Sequence, residues 1–239
     1  MFKFVKSIQQ KVKHRINRVQ RNAQIIRNIQ LIINSDLVRG TPALENLFKF
    51  IVKNDSTALE VATMLFSKPP IKFTHILAEG IDHCIGVNSG GVGRLPWKAP
   101  DDMAHFVRET KGKVCIVGGT TFRGFGKHIL RDREIIVVTK DTQTITRASA
   151  IPNHHTAPTV DDAVMLANTL LISNTDLPRE IMFIGGSSIY RQSMKWVTHV
   201  KQSIIIGVMG GGNVYRDWEY PEHVIIEIFK FPGEVISHA

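Results

Sequence analysis

Residues 113–122 read Lys113-Val-Cys-Ile-Val-Gly-Gly-Thr-Thr-Phe122, and residues 181–190 repeat the pattern as Ile181-Met-Phe-Ile-Gly-Gly-Ser-Ser-Ile-Tyr190. In each stretch an apolar run of strand length ends in two glycines and two hydroxyl residues, and a helical segment follows. Glycine lets the backbone approach a ligand closely, and the start of a helix offers free N–H groups to an anion. One Gly-Gly pair alone favours an ordinary tight turn. Because the pattern occurs twice in matched context, we give equal weight to a second interpretation, in which the two turns bind the two ends of a dinucleotide.

Around these two units, short apolar runs alternate with amphipathic helical segments. Such alternation predicts an α/β fold, with a mixed, mostly parallel sheet that helices cover on both faces. The predicted strands are Lys72–Ala78, Lys113–Val117, Glu134–Thr139, Glu180–Ile184, Val200–Ile206 and His223–Phe231. The predicted helices are Asp101–Thr110, Thr121–Phe125, Thr159–Leu171 and Ser187–Trp196, the third of which begins with a capping box of Thr159 and Asp162.

A third motif is the proline-bounded stretch Leu95-Pro-Trp-Lys-Ala-Pro-Asp-Asp-Met-Ala-His-Phe106. Helical spacing places Asp102 and Phe106 on one face and turns Asp101 away from it. Both acids are also acceptable as solvated side chains in a first helical turn, and for Asp101 that is the interpretation we adopt. An apolar rim around Asp102 would raise its pKa, and the carboxyl group could then bind the amidine-like edge of a heterocycle and assist its protonation. The rim is predicted to consist of Trp97, Met103 and Phe106.

Together these motifs resemble dihydrofolate reductase, and the resemblance extends from about Phe73 to Phe231. It predicts a reductase-like domain over residues 71–239. The motifs that carry it are, in order, Ile76-Leu-Ala78, Ile85-Gly86, Leu95-Pro96-Trp97 with Asp102 and Phe106, Gly118-Gly119-Thr120-Thr121, Arg133 with Ile136-Val-Val-Thr139-Lys140, and Ile184-Gly185-Gly186 with Tyr190.

The resemblance implies an enzyme that reduces 7,8-dihydrofolate to tetrahydrofolate by hydride transfer from NADPH. It implies no metal ion, and it implies a cis peptide between Gly185 and Gly186. The catalytic residues that it implies are Asp102, Trp97 and Ser203. The substrate-binding residues that it implies are Ile76, Met103, Phe106 and Arg133. Of these, Arg133 would pair with the glutamate carboxylate of the folate. The cofactor-binding residues that it implies are Ala78, Ile85, Gly118, Gly119, Thr120, Thr121, Thr139, Lys140, Ile184, Gly185, Gly186, Ser187, Ser188, Ile189 and Tyr190.

The sequence departs from the family pattern at several positions. Gly119 stands where the family usually has an arginine that reaches the cofactor phosphates, which predicts a reduced preference for NADPH over NADH. The loop of residues 86–95 is longer and rich in glycine, and we expect it to act as a mobile lid. Ser203 replaces a threonine. After Phe231 the sequence has no counterpart of the family's last hairpin and strand.

Residues 1–70 lie outside the resemblance, and we predict a basic helical extension there. Residues 1–40 contain nine Lys and Arg against one acid, Asp36, and apolar residues recur every three or four positions from Val5 to Ile33. Three roles remain open for this segment: packing against the reductase domain, formation of a homo-oligomer or larger assembly as a coiled coil, and nucleic-acid binding. The last role is less favoured, because no aromatic residues are interleaved with the basic ones after Phe4.

The remaining composition favours a cytoplasmic enzyme. No apolar run is long enough to span a membrane, and the N-terminus lacks the apolar block of a secretory signal. Cys84 and Cys115 lack metal-ligand spacing and are expected to be reduced, buried thiols. Two alternatives stay open. One is a pyrimidine reductase of the riboflavin pathway, against which the Pro-Trp motif argues. The other is a reductase-fold module that serves as a structural or docking component, with weak or no activity.

Overall fold

The computed structural model describes residues 71–126, 129–174 and 176–236. The predicted extension of residues 1–70 lies outside the described residues, and so do its boundary with the reductase domain and its three possible roles. No helix in the described part of the chain is both long and apolar enough to cross a lipid bilayer.

Seven strands form one central sheet in the order β11-β9-β1-β8-β5-β6-β7, and every neighbouring pair in it is parallel. Parallel pairing places the carboxyl ends of all seven strands along one edge of the sheet. The seven strands are β1 (Lys72–Gly80), β5 (Val114–Gly118), β6 (Glu134–Val138), β7 (His154–Ala157), β8 (Glu180–Phe183), β9 (His199–Ile206) and β11 (Ile225–Pro232). Five shorter strands lie outside it: β2 (Cys84–Ser89), β3 (Val92–Arg94), β4 (Trp97–Lys98), β10 (Val214–Tyr215) and β12 (Glu234–Val235).

Helices cover both faces of the sheet, as the alternating pattern predicts. They are α1 (Pro100–Thr110), α2 (Gly119–Gly124), α3 (Thr142–Ser149), α4 (Val160–Ser173) and α5 (Ser187–Ser193). Residues of α4 and α5 pack with Ile116 and Phe183 in one buried cluster, whereas residues of α1, α2 and α3 pack with Cys115 and Met182 in a second. Alternate residues of β5 therefore enter opposite cores, which explains why its sequence is apolar throughout.

Most predicted elements are observed within two or three residues of their predicted ends. The capping box at the start of α4 is confirmed, because the Thr159 side chain accepts a hydrogen bond from the Asp162 N–H at 3.1 Å. Helix α3 and strand β7, between β6 and α4, were not predicted. Neither was the hairpin of β2 and β3, which lies where the sequence predicts a loop. Gly90 and Gly91 make its turn, and both have positive φ, a conformation that glycine adopts without strain.

A buried ion pair holds the segment between β10 and β11 against β1. Glu79 of β1 is 1% exposed, and the Arg216 guanidinium donates hydrogen bonds to both its carboxylate oxygens, the shorter 2.7 Å long. The Gln202 side chain of β9 donates a further hydrogen bond to Glu79 Oε1 at 2.6 Å. Three parts of the chain that are distant in sequence are therefore joined through one carboxylate.

Candidate functional site

The two Gly-Gly turns lie side by side at the carboxyl edge of the sheet. Gly118 ends β5, Gly185 follows the neighbouring strand β8, and the Gly118 N–H donates a hydrogen bond to the Gly185 carbonyl at 2.8 Å. The peptide between Gly185 and Gly186 is cis, as the resemblance implies. The two matched motifs thus form one continuous backbone surface.

Small residues are required at these turns because neighbouring atoms come very close. A Cβ atom on Gly118 would lie 3.1 Å from Ile189 Cγ1, and one on Gly186 would lie 2.9 Å from Thr121 Oγ1. A Cβ atom on Gly119 would lie 3.0 Å from Thr139 Oγ1. The turns that end β5 and β8 and the residues after β6 consequently border one cradle of backbone and hydroxyl groups, in which Gly118, Gly186, Thr121 and Thr139 are half-buried.

Asp102 lies in the first turn of α1 and is 5% exposed. Burial raises the pKa of its carboxyl group, while a hydrogen bond from Ser203 and the charge of His105 act in the opposite direction. Ser203 belongs to β9 and is itself buried. By contrast Asp101, the next residue toward the N-terminus, is exposed, as predicted. The two adjacent acids therefore occupy different environments, and the buried one has the raised pKa of a group that can hold a proton.

Apolar residues from several elements surround this end of α1. Trp97 is 3% exposed and Ile76 of β1 is 4% exposed, while Met103 and Phe106 are half-buried. The Tyr190 hydroxyl donates a hydrogen bond to the Ile76 carbonyl at 2.6 Å, which joins α5 to β1 beside the site. Burial raises the pKa of Tyr190 well above its usual value, and the charges of Tyr220 and Asp102 add to that effect.

Arg133 is buried, and its guanidinium group donates hydrogen bonds to three acceptors within the chain. Nε binds Thr110 Oγ1 at 2.9 Å, Nη2 binds the Val107 carbonyl at 3.1 Å, and Nη1 binds the Arg131 carbonyl at 2.5 Å. The group also lies over the Phe106 ring, 5.9 Å from its centroid. These contacts fix the guanidinium beside α1, with two of its five N–H groups not engaged in them.

The other predicted cofactor residues differ in exposure. Lys140 and Ser188 are exposed, whereas Thr120, Thr121, Thr139 and Ser187 are half-buried. Ile184 and Ile189 are almost fully buried and belong to opposite core clusters. Ala78 and Ile85 are half-buried and pack against separate parts of the core. Among the described residues, no three His, Cys, Asp or Glu side chains lie close enough together to hold a metal ion.

Two residues that the sequence reasoning did not weigh lie beside the predicted ones. His105, three residues after Asp102 in α1, is 2% exposed, and its ring lies 4.2 Å from that of Phe229. Its Nε2 atom has no hydrogen-bond partner among the described residues. Arg123 follows Gly119 by four residues, and its Nη1 atom would lie 3.6 Å from a Cβ atom on that glycine. The sequence signal available for both was helical spacing, since His105 lies three residues after Asp102 and Arg123 lies four residues after Gly119.

Comparison with known proteins identifies the family. A family profile described as Dihydrofolate reductase matches residues 72–228. The chain belongs to the dihydrofolate reductase family. It is 26% identical over 138 residues to dihydrofolate reductase of Enterococcus faecium, which covers 58% of this chain and 76% of that protein. It is 28% identical over 156 residues to dihydrofolate reductase of Buchnera aphidicola, which covers 62% of this chain and 80% of that protein.

A solved structure similar to the chain is that of dihydrofolate reductase from Enterococcus faecalis complexed with NADP(H) and RAB-propyl. The two share 20% sequence identity with a TM-score of 0.49, over 61% of this chain and 77% of that one. The family match confirms the resemblance predicted from the motifs. Reduction of dihydrofolate is the activity of this family, and NADPH is the cofactor that the family uses.

Proposed function

We propose that this chain reduces 7,8-dihydrofolate to tetrahydrofolate with NADPH as its own reductant, and that Asp102 is its proton-handling group. The observation that carries the proposal is the burial of Asp102 beside Ser203, which gives a carboxyl group of raised pKa in an apolar surround. A carboxyl group in such a pocket binds the N–H groups of a pterin edge and exchanges a proton with it more readily than a solvated carboxylate does.

The apolar residues around Asp102 orient the pterin and exclude water. Trp97 and Ile76 are buried on one side, and Met103 and Phe106 extend from the same helix as the carboxyl group. Ser203 donates a hydrogen bond to Asp102 and fixes the orientation of the carboxylate oxygens. With water excluded, the charge of the carboxylate acts on the bound ring more strongly than it would in solution.

The cradle at the carboxyl edge of the sheet fits a dinucleotide. Gly118 and Gly186 allow the two turns to pack closely, because a Cβ atom there would meet Ile189 or Thr121, and this close packing brings the two turns together as one surface. Thr121, Ser187 and Thr139 supply hydroxyl groups beside it, and the exposed Lys140 supplies a positive charge. When bound, NADPH supplies the hydride, and these residues hold and orient it. Ile184 and Tyr190 would lie at its nicotinamide end.

Arg133 is proposed to bind the glutamate carboxylate of the substrate. Its guanidinium is already held by Thr110 and two carbonyl oxygens, so little conformational entropy is lost when a carboxylate binds the remaining N–H groups. Because Arg133 is bonded to Val107 and Thr110, we expect the substrate carboxylate at the opposite end of α1 from Asp102.

The cellular setting is part of the same proposal. Cys84 and Cys115 are both buried and unpaired, which suits a reducing compartment, and we propose a cytoplasmic location. Residues 1–40 remain a candidate for contacts with a second copy or an assembly partner, and nucleic acid is the less favoured partner.

A spectrophotometric assay of NADPH oxidation by the full chain, with and without dihydrofolate, tests the proposal. We expect oxidation that depends on dihydrofolate and yields tetrahydrofolate in equal amount. A folded chain that binds NADPH and dihydrofolate but does not turn them over would contradict the enzyme proposal, and would favour the docking-module alternative.

A further inference from the structure

Helix α2 carries a guanidinium group that folds back over its own first turn. Arg123 lies in the last turn of α2, yet its Nη1 atom would lie only 3.6 Å from a Cβ atom on Gly119, the first residue of the helix. Nη1 also donates a hydrogen bond to Thr144 Oγ1 at 2.7 Å, and Nη2 is 3.4 Å from Thr120 Oγ1. A positive charge therefore lies beside Gly119, although Gly119 itself has no side chain.

The β2–β3 hairpin holds the other edge of the same guanidinium. Nε and Nη2 of Arg123 both donate hydrogen bonds to the Gly91 carbonyl, at 2.9 and 2.6 Å. The hairpin also packs closely on α2, since a Cβ atom on Gly93 would lie 3.3 Å from Thr121 Cα. The hairpin thus fixes the direction in which Nη1 points, toward Gly119 and the end of β6.

A carboxylate lies on the remaining side of this guanidinium. Asp141 follows the end of β6, and its Oδ2 atom is 3.6 Å from Arg123 Nη1. Asp141 caps helix α3 by accepting hydrogen bonds from the Thr144 hydroxyl and the Thr144 N–H, and these bonds hold the pKa of its carboxyl group below the usual value. Asp141 is therefore negatively charged at neutral pH and is half exposed to solvent.

These two groups have opposite preferences for the substituent on a ribose. A guanidinium binds a phosphate through two parallel hydrogen bonds. A carboxylate at the end of a parallel strand accepts a hydrogen bond from a free ribose hydroxyl and repels a phosphate at the same position. Arg123 and Asp141 border the same end of the cradle, beside Gly119 and Thr139. A nucleotide that bound at this end would meet both groups.

We propose that Arg123 and Asp141 together determine how the chain discriminates between NADPH and NADH, by contacting the 2′ position of the adenosine ribose. Arg123 provides the positive charge that Gly119 lacks, and Asp141 limits the resulting preference for the phosphate. The inference rests on the proposed function, because it concerns the cofactor of that reaction. It adds two residues that the motifs of the family resemblance do not include.

Equilibrium binding of NADPH and NADH to the full chain tests the inference without turnover, with quenching of tryptophan fluorescence as the readout. Arg123→Gln should weaken NADPH binding by about tenfold or more, the scale of one charge-assisted contact, and leave NADH binding within about twofold. Asp141→Asn keeps a helix-capping side chain and should tighten NADPH binding relative to NADH. Lys111→Gln removes a positive charge that is 64% exposed and pairs with the exposed Asp132 at the end of α1, and it is the control, for which neither affinity should change.

Arg123→Lys separates a charge contact from support of the hairpin. Lysine keeps the positive charge but cannot reproduce the paired hydrogen bonds to Gly91, so it should retain most of the NADPH preference. If Arg123→Gln weakens NADPH and NADH equally, or changes neither, the inference is wrong. That failure is distinct from failure of the proposed function, which would appear as a wild-type chain that binds both nucleotides but does not reduce dihydrofolate. Circular dichroism of each variant confirms that an altered affinity belongs to a folded protein.

Discussion

Burial of Asp102 affects activity and stability in opposite directions. The pKa of its carboxyl group is raised chiefly by burial, so the folded protein binds this proton more tightly than the unfolded chain does. The free energy of unfolding therefore falls as pH rises from the pKa of the unfolded chain, about 4, to the pKa of the folded protein. Above the folded pKa, the whole loss in the free energy of unfolding is present. This cost in stability is what we expect if the carboxyl group is kept there for the proposed reaction.

Asp102→Asn tests both effects. Near neutral pH we expect the rate of dihydrofolate reduction to fall by about a hundredfold or more, the scale of lost acid–base assistance, with partial recovery at low pH where solvent protonates the substrate. The same variant should have a higher melting temperature than the wild type at neutral pH, and the difference should disappear below about pH 4. Asp101→Asn is the control, since Asp101 is exposed, and it should change neither quantity. Unchanged kinetics in Asp102→Asn would contradict the catalytic assignment.

At the scale of elements, the buried pair of Glu79 and Arg216 connects β1 to the segment that precedes β11. Arg216→Gln leaves the Glu79 carboxylate buried without its charged partner, and we expect the free energy of unfolding to fall by about 3–5 kcal/mol. The measurement is denaturant unfolding at neutral pH. Adding Glu79→Gln should recover part of that loss. The control is Arg191→Gln, which breaks the exposed ion pair between Arg191 and Asp217. The two side chains are 48% and 60% exposed, so we expect the free energy of unfolding to fall by less than about 1 kcal/mol. Equal costs for the two arginine variants would contradict this account.

The contact of the β2–β3 hairpin with α2 is a second element-scale property. A Cβ atom on Gly124 would overlap the Gly93 carbonyl oxygen, so Gly124→Ala must displace the hairpin from the helix. We expect a loss of about 1–3 kcal/mol in stability, typical of overpacking, together with a higher KM for NADPH. Gly112→Ala is the control, because Gly112 has φ of 72° and open space around the Cβ position. It should cost stability through backbone strain alone and leave KM unchanged.

At the scale of the whole molecule, the residues of the proposed site come from one part of the chain. All seven carboxyl ends lie on one edge, and every residue proposed for catalysis or cofactor binding lies between Ile76 and Ser203. Deletion of residues 1–40, which removes nine basic residues and one acid, should therefore leave the rate of NADPH oxidation within about twofold, because no proposed contact is lost. Light scattering of the two proteins reports any change of oligomeric state, and a salt-dependent binding assay reports loss of nucleic-acid binding. A folded, inactive deletion variant would place part of the active site in residues 1–40.

The order of most strands and helices, the two glycine turns and the difference in burial between Asp101 and Asp102 could be predicted from the sequence. These features depend on local patterns: apolar runs of strand length, glycine pairs at strand ends and helical spacing around Asp102. Short elements without a strong pattern were missed. Strand β7 is only four residues long and begins with two histidines, and α3 contains three threonines, so neither shows the apolar periodicity that identifies a helix or strand.

Only the tertiary structure decided which distant side chains meet. Gly91 and Arg123 are 32 residues apart, and Glu79 and Arg216 are 137 apart, so their contacts depend on strand order and on how the hairpin packs against α2. The resemblance predicts that Arg133 binds a carboxylate, but its hydrogen bonds to Thr110 and Val107 follow from the docking of α1. Local sequence patterns report the conformation and burial of each segment, whereas the pairing of two segments depends on the whole set of neighbours that pack around them. Arg123 follows Gly119 at helical spacing in the sequence, but its hydrogen bonds to the Gly91 carbonyl, which fix its guanidinium beside Gly119, are visible only in the structure.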